Sequence, residues 1–394
     1  MDAVAVRTID VDQHLFEERD TWAAHIDPSH REDALGIVDD EHGWPWLVFR
    51  GRQLYPVEVQ HPARPGEIAD NRRRMRRGEP APGRYEDLLP DEYRGGAPRV
   101  AALDSFGLDA SVLFPNFGLI WERMLAGDPQ ARRANARAYN RWMTGALGGG
   151  EGRLFGVAHL LLDDVDWAVA EIRRLAGDGV RLAMVAPAPV DGKPLSDPSL
   201  DPVWDAFCTH GVSPVFHVAG FASPLHAAWH RGDPEPGDRL MDSVFLWVAP
   251  AVALANLILH GTLERFSDLR IGVVELSAGW VPGFLLNLDG AFDFYVARHG
   301  EPVHPLADRP SSYFLRQVRV AALPYEAPAH LVKKVGAGTF MIGSDWPHAE
   351  GVTHPGADTA AAVARLEPAD RALVLGGNAA WLLGLGPGAP GRTP

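Results

Sequence analysis

Residues 202–220 read PVWDAFCTHGVSPVFHVAG. A helix-like pattern over 202–210 runs into a short apolar stretch, 212–218, that ends in His217. The same unit recurs along the chain, because short apolar or β-branched runs of strand length alternate with amphipathic stretches. Eight such runs can be read: 4–12, 110–114, 154–161, 179–185, 212–218, 256–260, 270–275 and 339–344. Helical patterns fill 128–147, 165–176, 202–210, 243–255 and 279–298. Apolar strands alternating with helices imply a parallel sheet covered on its outside, and eight repeats favour a closed barrel over an open sheet. The expected fold is therefore α/β, a distorted (β/α)8 TIM barrel.

Two stretches interrupt the repeat. The larger, about 17–100, follows the first strand, has little periodicity and is rich in Pro, Gly, Arg and aromatics such as Trp44, Trp46, Phe49 and Tyr55. It reads as a loop-rich cap over the barrel mouth. A second insertion, 219–242, carries His226, Trp229 and His230 and would wall the same mouth. Residues 1–385 are expected to form one domain, with 386–394, GPGAPGRTP, as a flexible tail.

Composition narrows the function. The chain of 394 residues carries 37 basic and 51 acidic groups, a formal charge of -14 that repels phosphate backbones and anionic lipid. Neither nucleic acid nor membrane is an expected partner. The basic run Arg72, Arg73, Arg74, Arg76 and Arg77 is read as a solvated face. With Cys208 alone there is no disulfide framework, no apolar run reaches membrane-spanning length, and the acidic N-terminus lacks the pattern of a signal peptide. The cytoplasm is the expected location. No phosphate-binding loop, dinucleotide turn or nucleophile elbow is present.

In a barrel the C-terminal strand ends form the active face, so polar residues there carry the chemistry. The first run ends in Asp12-Gln13-His14, the fifth in His217, the sixth in His260 and the eighth in Asp345. Residues two apart on a strand share a side, so Asp12 and His14 can point together into the mouth. Two imidazoles and two carboxylates suit one divalent cation with an open position, and Asp12, His14, His217 and Asp345 are assigned as ligands. Glu275 could orient a ligand histidine or pair with an arginine, and His348 could close the site or pack beside Trp346. His159 reads as core. Arg50 and Arg52, among the aromatics that include Trp46, could grip a substrate carboxylate or be solvated.

These residues stand in motifs that resemble the amidohydrolase superfamily, in particular its amidohydrolase 2, or aminocarboxymuconate-semialdehyde decarboxylase-like, family. The motifs are DVDQH at 10–14, VLFPN at 112–116, RLFGVAHLLLDD at 153–164, GVRLAMVAP at 179–187, the segment 194–220, LERFSDLRIGVVELSAGWVP at 263–282 and GSDWPHAEG at 343–351. The resemblance implies a mononuclear site on Asp12, His14, His217 and Asp345, with the catalytic histidine at His260, and makes a homodimer reasonable. Many relatives begin His-x-His, whereas position 12 here is Asp, which hardens the donor set. One divalent metal per chain is expected, zinc first, with manganese or iron as alternatives.

The expected enzyme is a metal-dependent hydrolase or carboxy-lyase acting on a small cyclic or aromatic acid. In hydrolysis Asp345 takes the proton of water while His260 stabilises the oxyanion. In non-oxidative decarboxylation Asp345 or His260 protonates carbon. A catalytically silent barrel that binds a ligand or partner is the alternative.

Overall fold

A computed structural model describes residues 7–118, 120–218, 223–230 and 240–385. Eight parallel strands form the barrel: β1 Ile9–Leu15, β2 Ala110–Pro115, β3 Leu154–His159, β4 Leu182–Met184, β5 Ser213–Phe216, β6 Ile271–Val273, β7 Val318–Ala322 and β8 Phe340–Ile342. Each pairs with the next in chain order. The seam between β8 and β1 is closed just above the strands, where Asp345 N–H donates to Asp12 O at 2.8 Å and His14 N–H to Trp346 O at 2.9 Å. Helices cover the outside, as a parallel sheet requires.

The interior is filled by alternate residues of the strands, among them Ile9, Val11, Val112, Phe114, Val157, Leu182, Met184, Val215 and Met341, with Leu382 and Leu383 of the last helix below. The residues between them face the helices and join a second apolar layer. In β1 the register slips between Asp10 and Gln13. That bulge breaks the strict alternation, so Asp12 and His14 turn inward above Ile9 and Val11.

One of the eight expected strands needs correction, and one strand is additional. Residues 256–260 are not a strand: they end a helix, Val248–Leu259, in which Leu254, Leu257 and Ile258 are buried at helical spacing. The helix VAPAVALANLIL is apolar almost all round, so its last turn is indistinguishable from a buried strand by periodicity alone. The run 270–275 supplies the sixth strand, and the seventh, VRVAA, escaped notice because it is short and carries Arg319 at its second position.

Within 17–100 the structure is more regular than a loop-rich stretch. Strands Leu35–Asp39, Pro45–Phe49 and Arg52–Pro56 form an antiparallel sheet, and Glu67–Arg76 is a helix. Leu35, Ile37, Leu47 and Phe49 form its buried face. Asn135 ties the sheet to the barrel helix Pro129–Ala146: its Oδ1 accepts from Leu35 N–H at 2.8 Å and its Nδ2 donates to Asp33 O at 2.8 Å. The tail 386–394, the first six residues, and 219–222 and 231–239 of the second insertion lie outside the described residues. Among the described residues no helix is long and apolar enough to cross a membrane.

Candidate metal centre

At the top of β1, Asp10 acts as a staple. Its carboxylate accepts from Gln13 Nε2 at 2.8 Å, Asp12 N at 3.1 Å and Ser344 N at 2.9 Å, tying β1 to the segment after β8. Arg99, fully buried, donates to Gln13 Oε1 at 3.1 Å and to His14 O at 2.6 Å and lies 4.8 Å over Trp346. The two segments come so close that a Cβ on Gly343 would sit 2.6 Å from Asp12 Cβ, and one on Gly351 would sit 2.4 Å from Asp345 O. Only glycine fits there.

On this frame the side chains converge. His14 Nε2 lies 3.1 Å from Asp345 Oδ1 and 3.7 Å from Asp12 Oδ1; His217 Nε2 lies 3.5 Å from Asp12 Oδ1 and 3.1 Å from Glu275 Oε2. The other nitrogens face backbone: His14 Nδ1–H points at Pro115 O, 3.4 Å away, and His217 Nδ1–H donates to Val218 O at 3.0 Å. That fixes the tautomer with the Nε2 lone pairs aimed at the cluster. Phe114 stacks on His217 at 4.0 Å and His348 on His14 at 3.7 Å, locking both rings. Asp345 and Glu275 both adopt left-handed backbone, φ 55° and 53°, a conformation uncommon outside glycine that turns their side chains to the same point.

Both carboxylate oxygens of Asp12 and of Asp345, together with His14 Nε2, His217 Nε2 and Glu275 Oε2, are buried without a hydrogen bond in proper geometry. Buried polar atoms in this state cost roughly 1–3 kcal/mol each, so seven of them facing one point are a mark of a cation site. Two overlapping sets of donors lie within 4.8 Å of one another: Asp12, His14, His217 and Glu275, and His14, Glu275, Asp345 and His348.

Ionisation follows the same geometry. Burial, with the neighbouring Asp345, pushes the Asp12 carboxyl up to about 7. Burial beside the His348 charge pushes His14 down to about 3, so its imidazole is neutral and able to ligate. Glu275 is raised well above the usual carboxylate range by burial and by Asp345 and Asp12. Burial works against ionisation of Asp345, but the charge of the adjacent His348 outweighs it and holds the carboxyl low. His348 is raised, because Asp345 outweighs its burial. Its Nδ1 lies 2.9 Å from Asp345 Oδ1, and its Nε2–H donates to Asn116 Oδ1 at 3.1 Å, so both ring nitrogens face acceptors.

The cluster forms the floor of a cavity of about 820 Å³. Apolar side walls come from Phe117, Ile120, Met184, Phe245 and Leu246, and residues 55–72 supply Tyr55, Glu58 and Arg72 on another side. Arg72 makes two 2.8 Å bonds to Glu58, so this member of the basic run lines the cavity and is not part of a solvated face.

Asp12, His14, His217, Asp345, Glu275 and His348 thus come together, and three other expected site residues do not. His260 is exposed at the C-terminal end of helix Val248–Leu259, and the chain leads from it into the start of β6. It therefore stands at the end of the barrel opposite the cluster, because the strand assigned to it is a helix. Arg50 is 51% exposed, held by Asp33 and by Asp128 Oδ2 at 2.9 Å. Trp46 donates through Nε1 to Asp40 Oδ2 at 3.1 Å in the small sheet, away from the cavity lining. Glu275 does not brace the second nitrogen of a histidine, since a backbone carbonyl does that and Glu275 meets the Nε2 side. His159 is core, packed between Trp121 and Tyr139. Asn116 was missed, although VLFPN shows a polar residue closing the second strand in the same way as His217 closes the fifth.

A sequence model described as amidohydrolase matches residues 9–385. No curated protein is a match. Among solved structures, an amidohydrolase from Mycobacterium avium subsp. paratuberculosis is similar at a TM-score of 0.78 and 24% identity over 97% of this chain and 100% of that one. A 5-carboxyvanillate decarboxylase from Sphingomonas paucimobilis follows at 0.63 and 18%, covering 97% of this chain and 100% of that one. A 5-carboxyvanillate decarboxylase from Novosphingobium aromaticivorans, complexed with manganese and 4-hydroxy-3-methoxy-5-nitrobenzoic acid, matches at 0.61 and 20% over 81% and 93%.

Proposed function

The chain belongs to the amidohydrolase family, and from that premise we propose that it is a metal-dependent carboxy-lyase which decarboxylates a small aromatic acid without an oxidant. The observation that carries the metal dependence is the set of buried, unbonded donor atoms on Asp12, His14, His217 and Asp345. We take these four as the ligands. Two carboxylates in the set make it a hard site, and with the manganese of the Novosphingobium aromaticivorans complex this favours Mn²⁺ over Zn²⁺. When bound, the cation supplies Lewis-acid polarisation of a substrate oxygen.

The reaction needs a proton delivered to carbon, and Glu275 is placed to deliver it. Its carboxyl is held well above the usual carboxylate range by burial and by the neighbouring Asp345 and Asp12, lines the cavity, and is 3.1 Å from His217. The proton goes to the ring carbon that bears the carboxylate. The bond between that carbon and the carboxylate then breaks, its electron pair restores the ring, and CO₂ leaves. His348 holds Asp345 ionised and in place. The apolar walls exclude water and accept a ring face.

Hydrolysis is the second reading, favoured by one observation: Asp345 is ionised in a buried setting and can take a proton from water. A silent barrel is disfavoured, since no donor position is lost. We further propose a cytosolic homodimer, supported by helix Val281–His299, which leaves Leu286 77% and Phe294 66% exposed.

Metal-stripped protein is expected to take up about one Mn²⁺ per chain, and D345N or H217A to take up much less. The loaded protein is then offered 5-carboxyvanillate and a set of hydroxybenzoates. Release of CO₂ that falls at least 100-fold in E275Q supports the reading, and full turnover in E275Q refutes it.

A further inference from the structure

One side chain reaches the cavity from the cap and is held there by the barrel. Gln60 stands between the strand Arg52–Pro56 and the helix Glu67–Arg76, and it lines the cavity together with His14, Asp345 and His348. Its side-chain oxygen accepts from Ala349 N–H at 3.0 Å, in the segment that follows β8. Ala349 is the residue after His348, whose ring stacks on His14 and whose Nδ1 faces Asp345. The main-chain oxygen of Gln60 accepts from the Tyr93 hydroxyl at 3.1 Å, and Tyr93 packs edge-on against Trp346 at 5.0 Å. Two bonds therefore tie the cap to the rim of the metal cluster at this residue. A carboxamide has an oxygen that only accepts and a nitrogen that only donates, and a main-chain N–H can only donate. The atom that meets Ala349 N–H is thus Oε1, and the two N–H donors of the amide are left over. Among the described residues they have no protein acceptor, and Nε2 is not sealed from solvent.

We propose that Gln60 is a specificity residue of the substrate site: its Nε2 donates to an uncharged oxygen on the substrate ring, a hydroxyl or ether substituent distinct from the oxygens that meet the metal. The inference deepens the reading above and rests on it for the end that reacts. A neutral amide fits an uncharged acceptor, because the lining already carries six carboxylates against two guanidiniums and Gln60 brings no charge to offset a further anion. Its position is set before the substrate arrives. The bond at Oε1 fixes the plane of the amide, so little rotamer freedom is lost when the nitrogen finds its acceptor. A ring with an alkyl group at that point displaces water from the donor and leaves it unpaired, and such a loss discriminates more sharply than a change of apolar shape.

The test is calorimetry on Mn²⁺-loaded protein, with metal content measured on the same samples and two pairs of probes of near-equal shape: 3-methoxybenzoate against 3-ethylbenzoate, and 4-methoxybenzoate against 4-ethylbenzoate. Each pair exchanges an ether oxygen for a methylene, so the ratio of the two affinities reports the acceptor and cancels general damage to the wall. Q60M keeps the length of the side chain and removes the donor. Q60E keeps an oxygen for Ala349 N–H and places a second oxygen where the donor was. In at least one pair, the methoxy-to-ethyl ratio of wild type is expected to exceed that of each variant by threefold or more. A residue that merely latches the cap would lower both affinities of a pair together and leave the ratio in place. A ratio that changes by less than threefold in both pairs, or a wild type that binds none of the four probes, overturns the inference, and with about one Mn²⁺ bound per chain the metal reading stands. If no metal is taken up, the metal reading fails, and the same ratios on metal-free protein decide the role of Gln60. Melting within a few degrees of wild type is the folding control, and one folded variant suffices for the comparison.

Discussion

Glu17, the second residue after β1, gives a test of the architecture that does not depend on the metal. Its side chain is fully buried, and its carboxyl oxygens lie 3.1 and 3.3 Å from Phe117 N–H. Burial pushes its carboxyl from 4.5 up to about 8, so at neutral pH the folded chain keeps a proton that the unfolded chain has released. Its contribution is fully present below pH 4.5 and is lost as pH rises to about 8, at about 1.4 kcal/mol per unit. E17Q keeps the shape and the acceptor but cannot ionise. The difference in unfolding free energy, variant minus wild type, should therefore grow with pH, by about 3 kcal/mol between pH 5.5 and 7.5. Urea unfolding at half-unit pH intervals, with Mn²⁺ at one fixed excess, measures it, because every other titration is common to both proteins and cancels in the difference. A difference that stays flat over that range, or shrinks, would show that Glu17 is solvated in the native state and that the junction between β1 and the β2 loop is not packed as described.

Three further outcomes follow from the same geometry. G343A places a methyl group 2.6 Å from Asp12 Cβ, and should lower stability by about 1–3 kcal/mol and metal affinity at least tenfold, as read by thermal melts and metal titration. H260A should retain full metal content and turnover, since His260 is exposed at the far end of the barrel; a hundredfold loss of turnover would contradict its placement. R50A should leave the affinity for carboxylate probes unchanged and the thermal melt close to that of wild type, because the ion pairs of Arg50 with Asp33 and Asp128 are solvent-screened.

The same physical rule explains what the sequence revealed and what it hid. A strand end is legible when apolar residues stop abruptly at a polar one, as β5 does at His217 and β8 in the segment that reaches Asp345, while in β1 the spacing of Asp12 and His14 is the signal. The rule fails where the sequence is apolar on every side. Helix Val248–Leu259 is apolar almost all round, with even the 61% exposed Val252 hydrophobic, so its last turn mimics a strand and places His260 on the active face with it. Glu275, which stands in the cluster where His260 does not, is visible in the sequence at the end of the next run, where its position alone suggests no more than support for other groups. Its real position depends on a left-handed backbone at φ 53°, which no periodicity predicts because it is set by contacts across the barrel. The small sheet at 35–56 was hidden for a different reason: its strands are five residues long, and only one face is buried, against a helix about a hundred residues further along the chain. Local pattern is strong where the core imposes it and weak where the partner surface is supplied by distant sequence. That places the uncertainty of reading such a chain in the walls of its cavity, where Arg72 and Arg123 stand on short helices outside the barrel repeat, while the floor, built on the strands themselves, is written in the sequence almost residue by residue.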